Sequence, residues 1–314
     1  YSQVTHDYET TELLAGTIPE DEPHGAQVMA RYRWFRSEYE KVTRSWQDFG
    51  NPYRAQWFSM PVLGRATELE KRSELLDSLD DVIANTATFL SLSSGWDRVW
   101  SNEQGPVLED LQSLRRLCHE IDSSDAAESG SIAERTKEER EWVRSHKQRL
   151  DDMTSSLEDG SLQPSAALDE LDEIASETKT KAARLAREAI DADTSSYADE
   201  RRRRYDDSSS SKEAAYAGYW YLGGGHGSYN PHSTIRLNPS SPAISAIGSS
   251  SSGSGAGGSF SSFTPVSDLV VGYSSASSYT PSSSSGSGSS FSGSSFSGGY
   301  SGGGFSGSGS SSSF

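Results

Sequence analysis

Histidine is the side chain most often used for acid-base catalysis and metal binding, and this chain of 314 residues has six of them. No two of the six stand in a His-Glu-x-x-His motif or at another close metal-ligand spacing. His146 falls on the apolar face of a predicted helix, where a hydrogen-bonded core histidine is expected. The histidines therefore predict neither a catalytic centre nor a metal site.

Carboxylates are abundant, with 45 Asp and Glu residues, and Asp169 and Glu173 fall on one face of a predicted helix. A glycosidase needs a pocket that raises the pKa of one carboxyl, and a metal site needs converging oxygen ligands. Charged residues on the outer face of a heptad-patterned helix provide neither arrangement. We expect these carboxylates to form a solvated surface.

The nucleophiles of the chain also lack a catalytic setting. No Gly-x-Ser-x-Gly elbow stands between a predicted strand and a predicted helix. Cys118 is the single cysteine, so an intrachain disulfide and a cysteine-based zinc site are both excluded. It lies on a predicted apolar helix face, where a buried thiol is inert. The sequence thus predicts no enzyme, no catalytic residues, no metal and no cofactor.

Four aromatic residues remain as a candidate partner-binding patch: Trp57, Phe58, Trp96 and Trp100. The first two lie in the connection after the first long predicted helix, and the other two precede the Gly-Pro pair that is expected to open the third. Two interpretations stay open. The aromatics are either apolar anchors that close the ends of the fold, or a surface that binds a partner at one end.

The elements that must position these side chains are helices. Apolar residues repeat at alternating spacings of three and four, which is typical of helices that pack against neighbours. Five long helices are predicted in this way, at about residues 25–49, 69–90, 107–121, 131–153 and 164–189. Their connections are short enough to predict antiparallel neighbours. The predicted fold is all-α: an antiparallel up-down bundle of about five long helices, followed by an extended, disordered Ser/Gly-rich tail.

Composition divides the chain into three predicted parts. Residues 1–206 form an acidic helical bundle, residues 207–247 an aromatic and glycine-rich extended arm, and residues 248–314 a disordered Ser/Gly/Phe low-complexity tail. Two short apolar stretches, Ser233–Leu237 and Leu269–Tyr273, have a strand-like composition. We expect both to pack onto the bundle as arms.

Net charge bears on the partners. The chain carries 45 acidic against 28 basic residues, a net charge of −17, so nucleic acid is disfavoured because its phosphates would be repelled. No stretch reaches the roughly 18 apolar residues that a membrane-spanning helix needs. Because the chain begins at Tyr1 rather than Met, we expect it to be a fragment of a longer protein.

A family resemblance is carried by four segments: Glu12–Pro19, Ala55–Phe58, Trp100–Leu111 and Ile235–Pro242. These segments, and the Phe-Ser-Gly repeats near the C-terminus, resemble an actinobacterial family with a domain of unknown function. Members look like membrane-anchored proteins with a TPM-like domain and a membrane helix upstream of this region. The resemblance implies membrane association through a segment upstream of this chain, and it supplies no catalytic residues.

These observations predict a structural or interaction module of a bacterial membrane-associated protein. The helices would serve as a spacer or docking platform with a flexible tail, and the partner would be a protein or a cell-envelope polymer. The alternative is the regulatory C-terminal part of a protein whose active domain lies upstream of Tyr1.

Overall fold

The computed structural model describes residues 2–54, 56–209, 218–219, 226–227, 235 and 265–280. The described residues form eight α-helices, which confirms the predicted all-α bundle. They are α1 (Ser2–Ala15), α2 (Gly25–Phe49), α3 (Met60–Leu90), α4 (Trp96–Asp122), α5 (Gly130–Glu158), α6 (Pro164–Asp191), α7 (Ala198–Ser209) and α8 (Val266–Ser277). None of these described helices is long and apolar enough to span a membrane.

The described residues also form three short elements. Two are 3-10 helices, Gln56–Phe58 before α3 and Asp125–Glu128 before α5. The third is an antiparallel pair of two-residue strands, β1 (Gly218–Tyr219) and β2 (His226–Gly227). This pair lies in the predicted extended arm, most of which falls outside the described residues.

Helices α1 and α2 both pack against α3, and we call α1 to α3 the N-terminal region. Their apolar faces follow the predicted spacing. Val28, Phe35 and Val42 of α2 are buried, and Leu76 and Ile83 of α3 are buried with them. The buried face of each helix therefore holds the region together, since isolated helices of this length are marginal in water.

Helices α4 to α8 form the second part, which we call the C-terminal bundle. Helix α4 packs against α5, α6 and α8, and α7 packs against α6 and α8. Leu114, Leu117 and Ile121 of α4 are fully buried at its centre, as are Leu168 and Leu185 of α6. The two parts meet where α3 contacts α4 and α6, and where His24, just before α2, contacts Asp169 of α6.

Helix α4 begins earlier than predicted. It starts at Trp96 instead of Gly105, and Pro106 lies inside it. Gly95 has a φ of 91°, a left-handed conformation that glycine adopts without strain, and it turns the chain into the helix. Proline inside a helix removes one backbone hydrogen bond. Burial of Val99, Trp100 and Glu103 ahead of Pro106 extends the helix in spite of that loss.

Helix α8 corrects two predictions. Residues 266–277 lie in the segment predicted to be disordered, and Leu269–Tyr273 was predicted to be strand-like, yet they form a helix. Its buried residues recur at helical spacings of three and four: Val266, Leu269, Val270, Tyr273 and Ala276. Packing on α4, α6 and α7 stabilises this helix, and the expected packing on the bundle is therefore confirmed for this stretch.

Of the other apolar stretch, the structure describes Ile235, which is fully buried. The rest of Ser233–Leu237 lies outside the described residues, as do residues 281–314 of the predicted tail. The bundle also extends slightly beyond the predicted boundary at residue 206, because α7 ends at Ser209.

Candidate functional site

The residues first considered for chemistry have structural roles. His146 is partly buried, its Nδ1 donates a hydrogen bond of 2.9 Å to the Trp142 carbonyl, and its ring stacks on Trp142. Burial raises the pKa of the Cys118 thiol to about 12, so it stays protonated at neutral pH. Asp169 and Glu173 are exposed, as predicted. Within the described residues, no group of three His, Cys, Asp or Glu is placed to hold a metal ion.

Trp100 is an internal anchor of the fold. Its side chain is 1% exposed and stacks on Phe89, with 5.5 Å between the ring centroids. The indole Nε1 donates a hydrogen bond of 2.9 Å to Thr154 Oγ1, so the buried donor is satisfied. Trp96 is partly buried and packs against the same core. Trp100 thus closes the junction of α3, α4 and α5, and Trp96 packs beside the core with part of its ring exposed.

The structure does not bring the four predicted aromatics together. Trp57 and Phe58 precede α3, whereas Trp96 and Trp100 follow it. Helix α3 has 31 residues and is therefore about 46 Å long at 1.5 Å per residue. The predicted patch divides into a pair that packs against the core at one end of α3 and an exposed pair at the other.

The exposed pair belongs to a larger apolar surface, which we call the apolar tip. It consists of five side chains in the connection between α2 and α3 and in the first turn of α3. They are Tyr53 (67% exposed), Trp57 (40%), Phe58 (82%), Met60 (78%) and Leu63 (41%). Sequence analysis found two of the five. The signal for the others is a run of nineteen residues, 49–67, that holds these apolar residues and no Asp or Glu.

Local chemistry explains the shape of the tip. Gly50 ends α2 with a φ of 66°, which favours glycine, and Pro61 stands in the first turn of α3, where proline is favoured. Between them, Trp57 Nε1 donates a hydrogen bond of 3.1 Å to the Pro52 carbonyl. The Trp57 ring also packs edge-on against Phe49, with 5.9 Å between centroids. Trp57 is thus held in place although it is partly exposed.

Charge at the tip differs from that of the rest of the chain. Arg54 and Arg65 are exposed and flank the tip, and no acidic residue stands between Phe49 and Thr67. The Arg65 guanidinium lies 5.8 Å from the centroid of the Phe49 ring, a cation–π distance. The tip is therefore a positively charged apolar surface in a chain whose net charge is −17.

A cleft of about 620 Å³ runs from the tip along α3. Trp46 and Trp57 line it on the aromatic side, and Glu70, Glu74 and Asp77 line it on the acidic side. Trp46 Nε1 donates a hydrogen bond of 3.1 Å to Ser73 Oγ at its floor. Ser2 in the first turn of α1 also lines the cleft, so the start of α1 lies near the tip.

Farther along α3, buried carboxyls face α1. Asp80 is 2% exposed, and its Oδ1 has no hydrogen-bond partner among the described residues. Burial raises the pKa of Asp80 to about 6, a hydrogen bond from Thr11 offsets part of the rise, and the charge of Asp7 adds to it. Burial and the charge of Asp7 also raise the pKa of Asp77. Like charge thus adds to the effect of burial on both carboxyls.

Comparison with known proteins places the chain in a family. The family model described as "Domain of unknown function (DUF5129)" matches residues 1–171, and the chain belongs to this family. The match covers the N-terminal region, α4, α5 and the first turns of α6. No curated protein and no solved structure matches the chain. The expected domain of unknown function is confirmed.

Proposed function

We propose that this DUF5129 domain is a non-enzymatic structural and interaction module of a bacterial membrane-associated protein. In this proposal the helices form a spacer and docking platform, the apolar tip is the docking surface, and the Ser/Gly-rich C-terminal segment is a tether. The observation that carries the proposal is the exposure of five large apolar side chains at one end of α3, about 46 Å from the buried aromatic anchor at its other end.

Exposed apolar surface of this kind is typical of interaction sites. Soluble domains expose single apolar side chains commonly, whereas contiguous apolar patches mark contacts with proteins, membranes or other ligands. Eight large apolar side chains are exposed among the described residues, and five of them belong to the tip. The other three, Leu13, Tyr197 and Val271, are scattered over α1, the α6–α7 connection and α8.

The chemistry of the tip supports docking over catalysis. Its polar groups are a phenol and two guanidinium groups, none of which ordinarily exchanges a proton near neutral pH. The cleft beside it is lined by carboxylates, indoles and two serines, and none of its lining residues is a histidine, cysteine, lysine or arginine. We therefore propose that the partner is a protein or another component of the cell envelope, and that the acidic remainder of the chain disfavours nucleic acid.

Membrane association through a segment upstream of this chain fits the geometry. Ser2 and Trp57 line the same cleft, so a segment that precedes α1 would enter the domain beside the tip. The tip and the point of entry would then face the same side of the envelope, and the C-terminal bundle would extend away from it.

The proposal is tested by sedimentation of the purified chain with bacterial cell envelopes. We compare the wild type with Phe58→Ser/Met60→Ser, called the tip variant, and with Val271→Ser, called the bundle control, which changes a 64% exposed residue of α8. We expect the wild type and the bundle control to sediment with envelopes and the tip variant to stay in solution. Equal sedimentation of all three proteins, or of none, would overturn docking through the tip. Turnover in a hydrolase screen would overturn the non-enzymatic assignment.

A further inference from the structure

We infer that the surface bound by the apolar tip is an anionic lipid bilayer. The tip side chains would enter the interface between headgroups and acyl chains, and Arg54 and Arg65 would lie among the headgroup phosphates. This inference rests on the proposed docking function and names its partner.

The composition of the tip fits a bilayer interface. Phe58, Met60 and Leu63 supply apolar surface, and Tyr53 and Trp57 are the residue types that accumulate where one end of a side chain is apolar and the other is wet. The two most exposed side chains, Phe58 and Met60, are separated by one residue at the junction of the 3-10 helix with α3. They protrude at the end of a helical hairpin, which can enter a lipid surface without a complementary groove on a protein.

Internal hydrogen bonds prepare the tip for an environment with little water. An indole N–H that enters an apolar phase without a partner is costly, but Trp57 Nε1 already donates to the Pro52 carbonyl. The backbone N–H of Gln56 donates to the Tyr53 carbonyl at 2.8 Å, and that of Ser59 donates to the Gln56 carbonyl at 2.9 Å. The backbone N–H of Tyr53 donates a hydrogen bond of 2.9 Å to Gln56 Oε1. Pro52 and Pro61 have no N–H to satisfy.

Charge favours an anionic bilayer in particular. Each arginine at a lipid surface attracts anionic headgroups, and the 19 residues from Phe49 to Thr67 contain no carboxylate that would oppose this attraction. Glu68, the first acidic residue of α3, lies about 12 Å along the helix axis from Met60. Screening reduces its effect beyond about 8 Å at physiological ionic strength. Asp48, at the end of α2, is the nearest carboxylate in the sequence on the other side, and Glu70 and Glu74 line the cleft beside Trp57.

The test uses the full chain and protein-free vesicles of phosphatidylcholine, with or without phosphatidylglycerol. The tip variant removes the apolar contact, and Arg54→Glu/Arg65→Glu, called the charge variant, reverses the two positive charges. The bundle control and Arg33→Glu, an exposed position in the middle of α2, are the matched controls. Helical circular dichroism of every variant verifies that it is folded, and partition is measured by co-sedimentation at low and high salt.

We expect the wild type and both controls to bind the phosphatidylglycerol vesicles and to bind them less at high salt. The tip variant and the charge variant should each lose at least about tenfold in partition coefficient. Absence of wild-type binding, or an equal loss in the controls, would overturn the inference. If envelopes still capture the wild type through the tip while pure vesicles do not, docking stands and its partner is a protein or polymer. Tip-dependent self-association without vesicle binding would assign the tip to a second copy of the chain and overturn the lipid assignment.

Discussion

The C-terminal bundle and the N-terminal region differ in the pairing of their buried charges and in the apolar surface that they expose. The C-terminal bundle places buried charges beside opposite charges: Glu139 is 1% exposed and lies 3.0 Å from Lys181 Nζ and 3.3 Å from Arg184 Nη2. The N-terminal region instead buries Asp80 beside other carboxyls and leaves the apolar tip in solvent. Paired buried charges and covered apolar faces are typical of a part selected for stability.

The exposed large apolar side chains gather in the N-terminal region, where five of the eight among the described residues belong to the tip. Local violations of packing and charge-pairing rules are expected where function competes with stability. Helix α8 sharpens the contrast, because it covers an apolar face of the bundle with Leu269, Val270 and Tyr273, whereas no described element covers the tip. The comparison therefore supports the proposal that the bundle is a support and that the N-terminal region carries the interaction surface.

The strongest test of this comparison is a pair of tryptophan substitutions. Trp100→Ala removes a buried ring that stacks on Phe89 and leaves a cavity, so we expect a loss of about 3–5 kcal/mol in the free energy of unfolding. Trp57→Ala, at the 40% exposed tip, should cost about 1 kcal/mol or less. Urea unfolding followed by circular dichroism measures both. Equal losses would show that the tryptophans at the two ends of α3 contribute equally to the free energy of unfolding.

Helix α8 provides the second test. Leu269→Ala truncates a 4% exposed side chain between α8 and the bundle, and we expect a loss of about 2–4 kcal/mol and faster proteolysis of the C-terminal segment. Val271→Ala changes the exposed face of the same helix and should alter the unfolding free energy by less than about 0.5 kcal/mol. An unchanged proteolysis pattern for Leu269→Ala would contradict the packing of α8 on the bundle.

Part of this fold can be predicted from the sequence. The apolar faces of α2 and α3 could be predicted because buried residues recur at helical spacing within each helix, Tyr32 and Phe35 three apart in α2 and Leu76 and Ile83 seven apart in α3. The same register could have revealed Asp80, which stands four residues after Leu76 and three before Ile83 and hence on the buried face. Asp80 is nevertheless missed when only the spacing of apolar residues is considered, because aspartate is not one of them.

Other features could not be predicted from local pattern. The Val-Val pair of α8 has a strand-like preference, and contacts with α4, α6 and α7, distant in sequence, override it. The separation of the four aromatics has a related reason. Trp57 and Trp100 both stand near predicted helix ends. Trp100 stacks on Phe89 at the junction of α3 and α4, whereas Trp57 lies partly exposed in the connection between α2 and α3. The fold decides which tryptophan is covered.

The buried carboxyl gives the third test, a pH dependence. Burial raises the pKa of Asp80 to about 6 from an ordinary value of 3.8, so the folded state binds its proton more tightly than the unfolded chain. The protonated Asp80 carboxyl therefore adds at most about 3 kcal/mol to the free energy of unfolding below about pH 4. This contribution is lost as the pH rises to about 6. Asp80→Asn should therefore flatten the unfolding free energy over this range and stabilise the domain at pH 8.

Asp48→Asn, at an exposed position at the end of α2, is the matched control, and urea unfolding at several pH values is the measurement. The control should keep the wild-type slope. A slope that persists in Asp80→Asn would assign the pH dependence to other carboxyls, such as Asp110 in the C-terminal bundle, whose pKa burial also raises to about 6.

The smallest expected effect concerns the tip itself. Phe58→Ser and Met60→Ser replace side chains that are 82% and 78% exposed, so little buried area is lost, and we expect each to change the free energy of unfolding by less than about 0.5 kcal/mol. Apolar surface that contributes nothing to stability but stays exposed has a cost in solubility. Urea unfolding and a solubility assay should thus show an unchanged fold and a more soluble protein. A clear loss of stability in either variant would mean that the tip packs within the domain, and the division between support and interaction surface would then have to be drawn elsewhere on α3.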